Sequence, residues 1–149
     1  MLISTKGRYV TRMLLDIAEH QGDGYVCMKG VADRQQISKK YLESFTSVLE
    51  SNGILCIRRG SCGGYRLCRD PGDITLLEVL RLTEGSLRAV SCLEQDPNPC
   101  PRKGFCMTLP AWEGLDRLVT EYLEGITLKD LLDQAKPQPE RPQDYPCRG

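Results

Sequence analysis

Three cysteines, Cys92, Cys100 and Cys106, stand in a stretch that Pro97, Pro99 and Pro101 keep out of helix. Thiolates are soft ligands, and a polar loop carrying three of them suits an iron–sulfur cluster or zinc. Such a centre normally takes four ligands, and no fourth stands out. Glu94 and Asp96 lie within the loop; His20, the one histidine, ends a predicted helix, where capping or exposure accounts for it. Uncommitted thiols are the alternative reading. The eight cysteines include no C-x-x-C pair, which argues against a thioredoxin-like site or an ordinary zinc ribbon. No nucleophile–base set is present either, so the chain is not expected to be an enzyme.

A second chemistry is carried by residues 37–67, ISKKYLESFTSVLESNGILCIRRGSCGGYRL. Ser38, Lys39, Lys40, Tyr41, Glu43 and Ser44 fall at the front of a predicted helix. Ser and Lys bond phosphates, Lys also reaches guanine acceptors, and Glu43 can accept from the exocyclic amine of cytosine. Arg58 and Arg59 follow in a glycine-rich turn and suit phosphate or a narrow minor groove. Lys6 and Arg8 can add backbone contacts. Many surface helices carry Lys and Glu; the RRG-x-x-GG hairpin directly behind this one is what points to double-stranded DNA. A winged helix used only to bind protein would lack the steep salt dependence of counterion release.

These residues need elements to hold them. Val10, Met13, Leu14, Ile17 and Ala18 recur on one face of a helix over 6–20. A second helix over 29–36 buries Val31 and Ala32. Ser38 caps a third, with Leu42, Phe45 and Leu49 inward, which Asn52-Gly53 ends. Ile54–Ile57 and Tyr65–Leu67 read as the strands of a hairpin around the turn. Helix, short helix, turn, helix, hairpin is the order of a winged helix-turn-helix, whose helix enters the major groove while the wing touches the backbone. Thr75 and Glu78 form a capping-box pattern for a further helix. Thr108 caps another, along which Trp112, Leu115, Val119, Tyr122 and Ile126 recur at spacings of three and four. That narrow seam suits a helix paired with its own copy, and packing within one chain is the alternative.

The 149 residues carry no net charge, but 1–68 hold ten Lys/Arg against six Asp/Glu, and 69–149 hold ten against fourteen. A basic front half fits a local DNA-facing surface. No apolar run approaches the roughly 20 residues that span a bilayer, and no signal peptide is evident, so a cytoplasmic chain with no membrane partner is expected. Cysteines in such a chain are more often metal or redox ligands than a disulfide framework. Cys56 reads as a small strand residue and Cys62 as exposed at the wing tip. The expected fold class is mainly α with a small β-hairpin. Its divisions are a winged helix at 1–70, a linking helix at 71–90, a cysteine loop at 91–107, dimerisation helices at 108–136, and a disordered tail at 137–149.

STKGRY at 4–9, ISKKYLES at 37–44, RRGSCGGYRL at 58–67, EVLRLTEG at 78–85, the three-cysteine loop and GITLKDLL at 125–132 occur in one order. In these motifs the chain resembles the IscR-type, or Rrf-family, winged-helix regulators of bacteria, over about residues 1–135. The resemblance implies a homodimer that reads a palindromic operator, with the helix after Thr108 crossing its partner. It implies DNA contacts at Ser38, Lys40, Tyr41, Glu43, Arg59 and Gly60, and ligation of an iron–sulfur cluster, 2Fe-2S or 4Fe-4S, by Cys92, Cys100 and Cys106. A regulator of the same family that is controlled without a cluster, by thiol state or a partner protein, is the alternative. The chain departs from the family at Leu109 and Arg8, where sensor members place a fourth ligand, and at Cys62, where the wing usually has a small residue or proline.

Overall fold

The computed structural model describes residues 3–135; the expected tail at 137–149, with Cys147, lies outside them. The described residues are mainly helical with one two-stranded antiparallel sheet, the expected fold class.

Helix α1 (Thr5–His20) starts where the Ser4 hydroxyl accepts from Lys6 N at 3.1 Å. Val10, Met13, Leu14 and Ile17 are fully buried, and this stripe founds the main core. Helix α2 (Met28–Gln35) buries Val31 and Ala32 against it. Gln36 then takes a left-handed conformation, φ 55°, and turns the chain towards α3 (Lys39–Glu43). Asp16, on the inner face of α1, is buried and joins these helices: it accepts from Arg34 Nη2 at 2.6 Å and Gln35 Nε2 at 2.8 Å.

The third helix is not continuous. It breaks after Glu43 and resumes as α4 (Thr46–Ser51). The Ser44 hydroxyl donates back to the Tyr41 carbonyl at 2.5 Å, and the Thr46 hydroxyl to that of Glu43 at 2.8 Å. Side-chain donors that take backbone acceptors compete with the helical ladder and bend it. Leu42 and Leu49 remain fully buried on either side of the bend, and Phe45 packs on the core.

Strands β1 (Leu55–Arg58) and β2 (Gly64–Leu67) pair with Leu55 opposite Leu67 and Cys56 opposite Arg66. The other edge of β2 is bonded to Val26, whose N–H donates to the Tyr65 carbonyl at 2.7 Å. Gly64 permits this approach, since a Cβ there would stand 2.7 Å from the Val26 carbonyl oxygen.

Helix α5 (Leu76–Glu84) packs on α1 and is capped by Thr75, which accepts from Glu78 N at 3.2 Å. The capping box stays half made because the Glu78 carboxylate turns to Arg69 Nη2, 2.5 Å away. Residues 86–107 are turns around one 3-10 turn at Ser91–Leu93. Helix α6 (Leu109–Glu124) lies against α5, with Val119 and Leu123 meeting Leu77 and Leu80 in a second cluster. Its Thr108 does not cap it; that hydroxyl is 3.4 Å from the Cys106 sulfur. Helix α7 (Leu128–Asp133) opens on a full capping box between Thr127 and Asp130. Leu128 is fully buried in the main core, where α7 packs with α1.

Candidate nucleic-acid interface and cysteine loop

Ser38, Lys39, Lys40 and Ser44 are exposed along α3, with Tyr41 and Glu43 half-buried. The Ser38 hydroxyl accepts from Tyr41 N at 3.4 Å, which starts the helix and fixes which way these side chains face. Lys39 Nζ lies 3.5 Å from Glu43 Oε1, one turn on. The Tyr41 ring stands edge-on between Tyr9 (6.0 Å) and Phe45 (5.2 Å). That stack sets the first half of α1, where Lys6 and Arg8 are exposed, beside α3.

A cleft separates α3 from the wing, lined by Lys39, Glu43, Thr46, Arg58, Arg59 and Tyr65 among others. Burial, reinforced by the Glu43 carboxylate, raises the Tyr65 phenol above its ordinary range. It therefore stays neutral at physiological pH. Arg58 lies over the Tyr25 ring, 4.5 Å from its centroid, and Arg66 approaches the same ring at 5.7 Å. Tyr25 thus holds the wing by cation–π contact. Nothing local in the sequence marks Tyr25 for this, because its partners arrive from strands 33 and 41 residues away. Arg59 and Gly60 stand exposed at the turn, and Gly60 takes φ +106°, a conformation open to glycine. The candidate DNA-facing residues of α3 and the wing therefore share one side of the molecule.

Two further cysteines meet in the wing. Cys56 on β1 and Cys68 just past β2 are disulfide-linked, with Cα atoms 5.2 Å apart. This differs from the reading of Cys56 as a plain strand residue. The two share the outward face of the hairpin, since Cys56 pairs with Arg66 and Cys68 lies two residues on.

Cys92, Cys100 and Cys106 are half-exposed thiols. Asp116, buried on α6, anchors the start of their loop by accepting from Ala89 N at 2.7 Å and lying 3.3 Å from Arg88 Nη1. Hydrogen bonds from the Thr108 side chain and backbone lower the Cys106 thiol below its ordinary value. Soft, accessible thiols fit the ligand chemistry of an iron–sulfur centre. Their geometry here does not assemble one: among the described residues no group of three His, Cys, Asp or Glu side chains converges to hold a metal ion. Leu109 offers no donor, and His20 Nδ1 is 2.7 Å from the Asp16 carbonyl oxygen.

Helix α6 turns an apolar face outward. Leu118 and Tyr122 are 66% and 70% exposed, Trp112 and Leu115 are each 38% exposed, and Ile3 adjoins them. Of the seam read from the sequence, Val119 faces α5 and Ile126 lies beyond the helix end, where its carbonyl accepts from Leu76 N at 2.8 Å. Leu118 takes the outward place.

A winged helix-turn-helix with an exposed basic helix and wing defines a DNA-binding regulator. The chain belongs to the Rrf2 family, described as iron-dependent transcriptional regulators, which matches residues 3–134. It is 38% identical over 135 residues to the protein rrf2 of Nitratidesulfovibrio vulgaris, covering 91% of this chain and 89% of that one. Its fold is similar to that of T. potens IscR, with TM-score 0.72, 36% identity, and coverage of 91% and 89%. It is also similar to CymR, the global cysteine regulator of B. subtilis, with TM-score 0.73, 32% identity, and coverage of 91% and 99%. Among the described residues no helix is long and apolar enough to cross a membrane.

Proposed function

We propose that this transcriptional regulator acts as a homodimer on a palindromic operator and senses iron–sulfur or redox status through Cys92, Cys100 and Cys106. The observation that carries the reading is where the thiols sit. Their loop joins α5, which packs on the DNA-binding core, to α6, which presents the exposed apolar face. In the dimer Trp112, Leu115, Leu118 and Tyr122 would meet their copies, and two α3 helices would face successive major grooves. Lys6, Arg8, Ser38, Lys40 and Arg59 would hold phosphates, while Glu43 and Lys39 would reach base edges.

Cys92, Cys100 and Cys106 would hold the cluster, which when bound supplies one-electron chemistry and lability to oxidants. The chain's own part is to order residues 86–107 against α5 and α6. Such ordering shifts the balance between two spacings of the recognition helices, by no more than the effector's difference in affinity for them. The test is purification without oxygen, a visible absorption spectrum, and iron and sulfide assays. Matched iron and sulfide, lost on replacing all three cysteines by Ser, supports the reading. A colourless protein that binds DNA even after attempted reconstitution overturns it.

A second reading within the family is control by thiol state without a cluster. It is favoured by the unconverged thiols and by the lowered Cys106, whose larger thiolate fraction reacts faster with oxidants. Regulation that vanishes in Cys106→Ser but persists without iron would select it.

A further inference from the structure

We propose that Cys56 and Cys68 form a reversible disulfide across the wing, a thiol site separate from Cys92, Cys100 and Cys106. Its effect on DNA rests on the reading that the wing touches DNA. Three observations carry it. The pair sits diagonally across the hairpin on one face, with Cα atoms 5.2 Å apart, inside the range a disulfide spans. Cys68 is exposed and Cys56 half-exposed, so small thiols and disulfides reach both. The bond clamps the open end of the hairpin, whose other end carries Arg58, Arg59 and Gly60. A transcriptional regulator works where DNA is, in a compartment whose thiol pool reduces accessible disulfides. An exposed pair there opens and closes with that pool instead of serving as a permanent staple.

The oxidant is a low-molecular-weight disulfide of the glutathione class. The Cys68 thiolate, the more exposed, attacks its S–S bond and releases one small thiolate, leaving a mixed disulfide. The Cys56 thiolate then displaces the second. Two protein thiols are oxidised, one small disulfide is reduced to two thiols, and the protons pass to the departing thiolates. The closed bond holds β1 and β2 together, so Arg58 and Arg59 meet DNA already ordered. Opening it leaves that ordering to be done on binding, which lowers affinity by roughly tenfold, the cost of immobilising one or two long side chains.

The full-length protein is equilibrated in glutathione buffers of graded oxidation, quenched by alkylation and mapped by mass spectrometry. In parallel its affinity is measured for a duplex selected from a random library by the oxidised protein. The expected result is one two-electron transition linking Cys56 to Cys68, unchanged in Cys62→Ser and in the loop triple variant. Affinity should fall about tenfold on reduction, and Cys56→Ser and Cys68→Ala should each sit at the reduced value in every buffer. No linkage at any ratio, or linkage through Cys62, overturns the site. Linkage with unchanged affinity overturns its effect on DNA. Failure of both forms to select any duplex would instead count against the DNA-contact reading, with the peptide map still deciding the disulfide.

Discussion

Gly7→Ala sets two effects of opposite sign against each other. Gly7 lies in the first turns of α1, where Ala is the better helix former by about 1 kcal/mol. Propensity alone predicts a more stable protein. The structure predicts the reverse. Glu84, the last residue of α5, uses one carboxylate oxygen to accept from Ser4 N at 3.0 Å, Ser4 Oγ at 2.9 Å and Gly7 N at 2.9 Å. A Cβ on Gly7 would stand inside contact distance of that oxygen and 2.7 Å from Leu80 Cδ2. The leucine methyl can rotate away; the carboxylate can clear the Cβ only by abandoning the bonds. Hydrogen bonds to a charged group contribute about 1.5–3 kcal/mol each when buried. Three sharing one half-buried oxygen are worth less than their sum, and we take about 2–3 kcal/mol together. The expected net change is a loss of about 1–2 kcal/mol, a fall of roughly 3–6 °C in Tm at fixed protein concentration. Urea unfolding followed by far-UV dichroism reads it as a lower midpoint at unchanged slope. In a Glu84→Ala background the obstruction is gone and Gly7→Ala should turn neutral or stabilising, a coupling of about 2 kcal/mol. A higher midpoint for Gly7→Ala alone, or strict additivity of the two changes, refutes the reasoning.

The other predictions concern DNA, the dimer and the loop. Arg59→Ala should weaken binding to all duplexes and lower the salt slope by about one, whereas Glu43→Ala should relax discrimination at one base step; equal losses on every sequence from both would sink that division. Leu118→Glu should yield a monomer in sedimentation equilibrium, and an unchanged mass would remove the outward face of α6 as the contact. The Cys106 thiol, held low chiefly by the Thr108 hydroxyl, should be alkylated at a lower pH than an unperturbed cysteine, because its thiolate persists there; Thr108→Val should move the rate–pH profile upward. Asp130, lowered by the Thr127 backbone and side-chain donors, should lend α7 stability above the ordinary carboxylate range that is lost as the pH falls through its depressed value. Thr127→Ala should flatten that part of the stability–pH curve.

Much of the fold was legible because burial follows period. The face of α1, the turn before Ser38 and the hairpin all stand where spacing put them. The break between α3 and α4 was not, because Ser44 and Thr46 carry ordinary helical propensity and act only once their hydroxyls find the Tyr41 and Glu43 carbonyls. Of the seam expected on α6, Trp112, Leu115 and Tyr122 face outward, whereas Val119 faces α5 and Leu118 stands outward beside it. Leu118, Val119, Tyr122 and Leu123 form a broad apolar arc, and periodicity cannot say which half α5 covers. Contacts between distant residues were also out of reach: Asp16 meets Arg34 across 18 residues, and Glu84 meets Gly7 across 77. Cys56 and Cys68 are an intermediate case. Cys56 pairs with Arg66 and Cys68 stands one residue past β2, so only the hairpin register, which the sequence leaves open, brings them together on one face.

If the cysteine loop acts on DNA binding, as proposed, the position of α5 limits how it can do so. The chain leaves residues 86–107 through α5 on one side and α6 on the other, and α6 itself packs on α5. Glu84 fastens the end of α5 to the start of α1, next to Lys6 and Arg8. Glu78, in its first turn, holds Arg69, whose Nε donates to the Gly53 carbonyl at 3.2 Å between α4 and β1. One helix thus carries a fastening to the start of α1 and another to the junction of α4 and β1. A rotation of α5 that keeps both fastenings must move α1 and the wing together, and one that breaks Glu84 alone uncouples them. Arg69→Lys separates the two cases, since a lysine lacks the fork that reaches Gly53 and Glu78 at once. If the loop acts through α5, this variant should keep DNA affinity near wild type while losing its response to the loop's state. A response that survives in Arg69→Lys would place the transmission in α6 and the dimer contact.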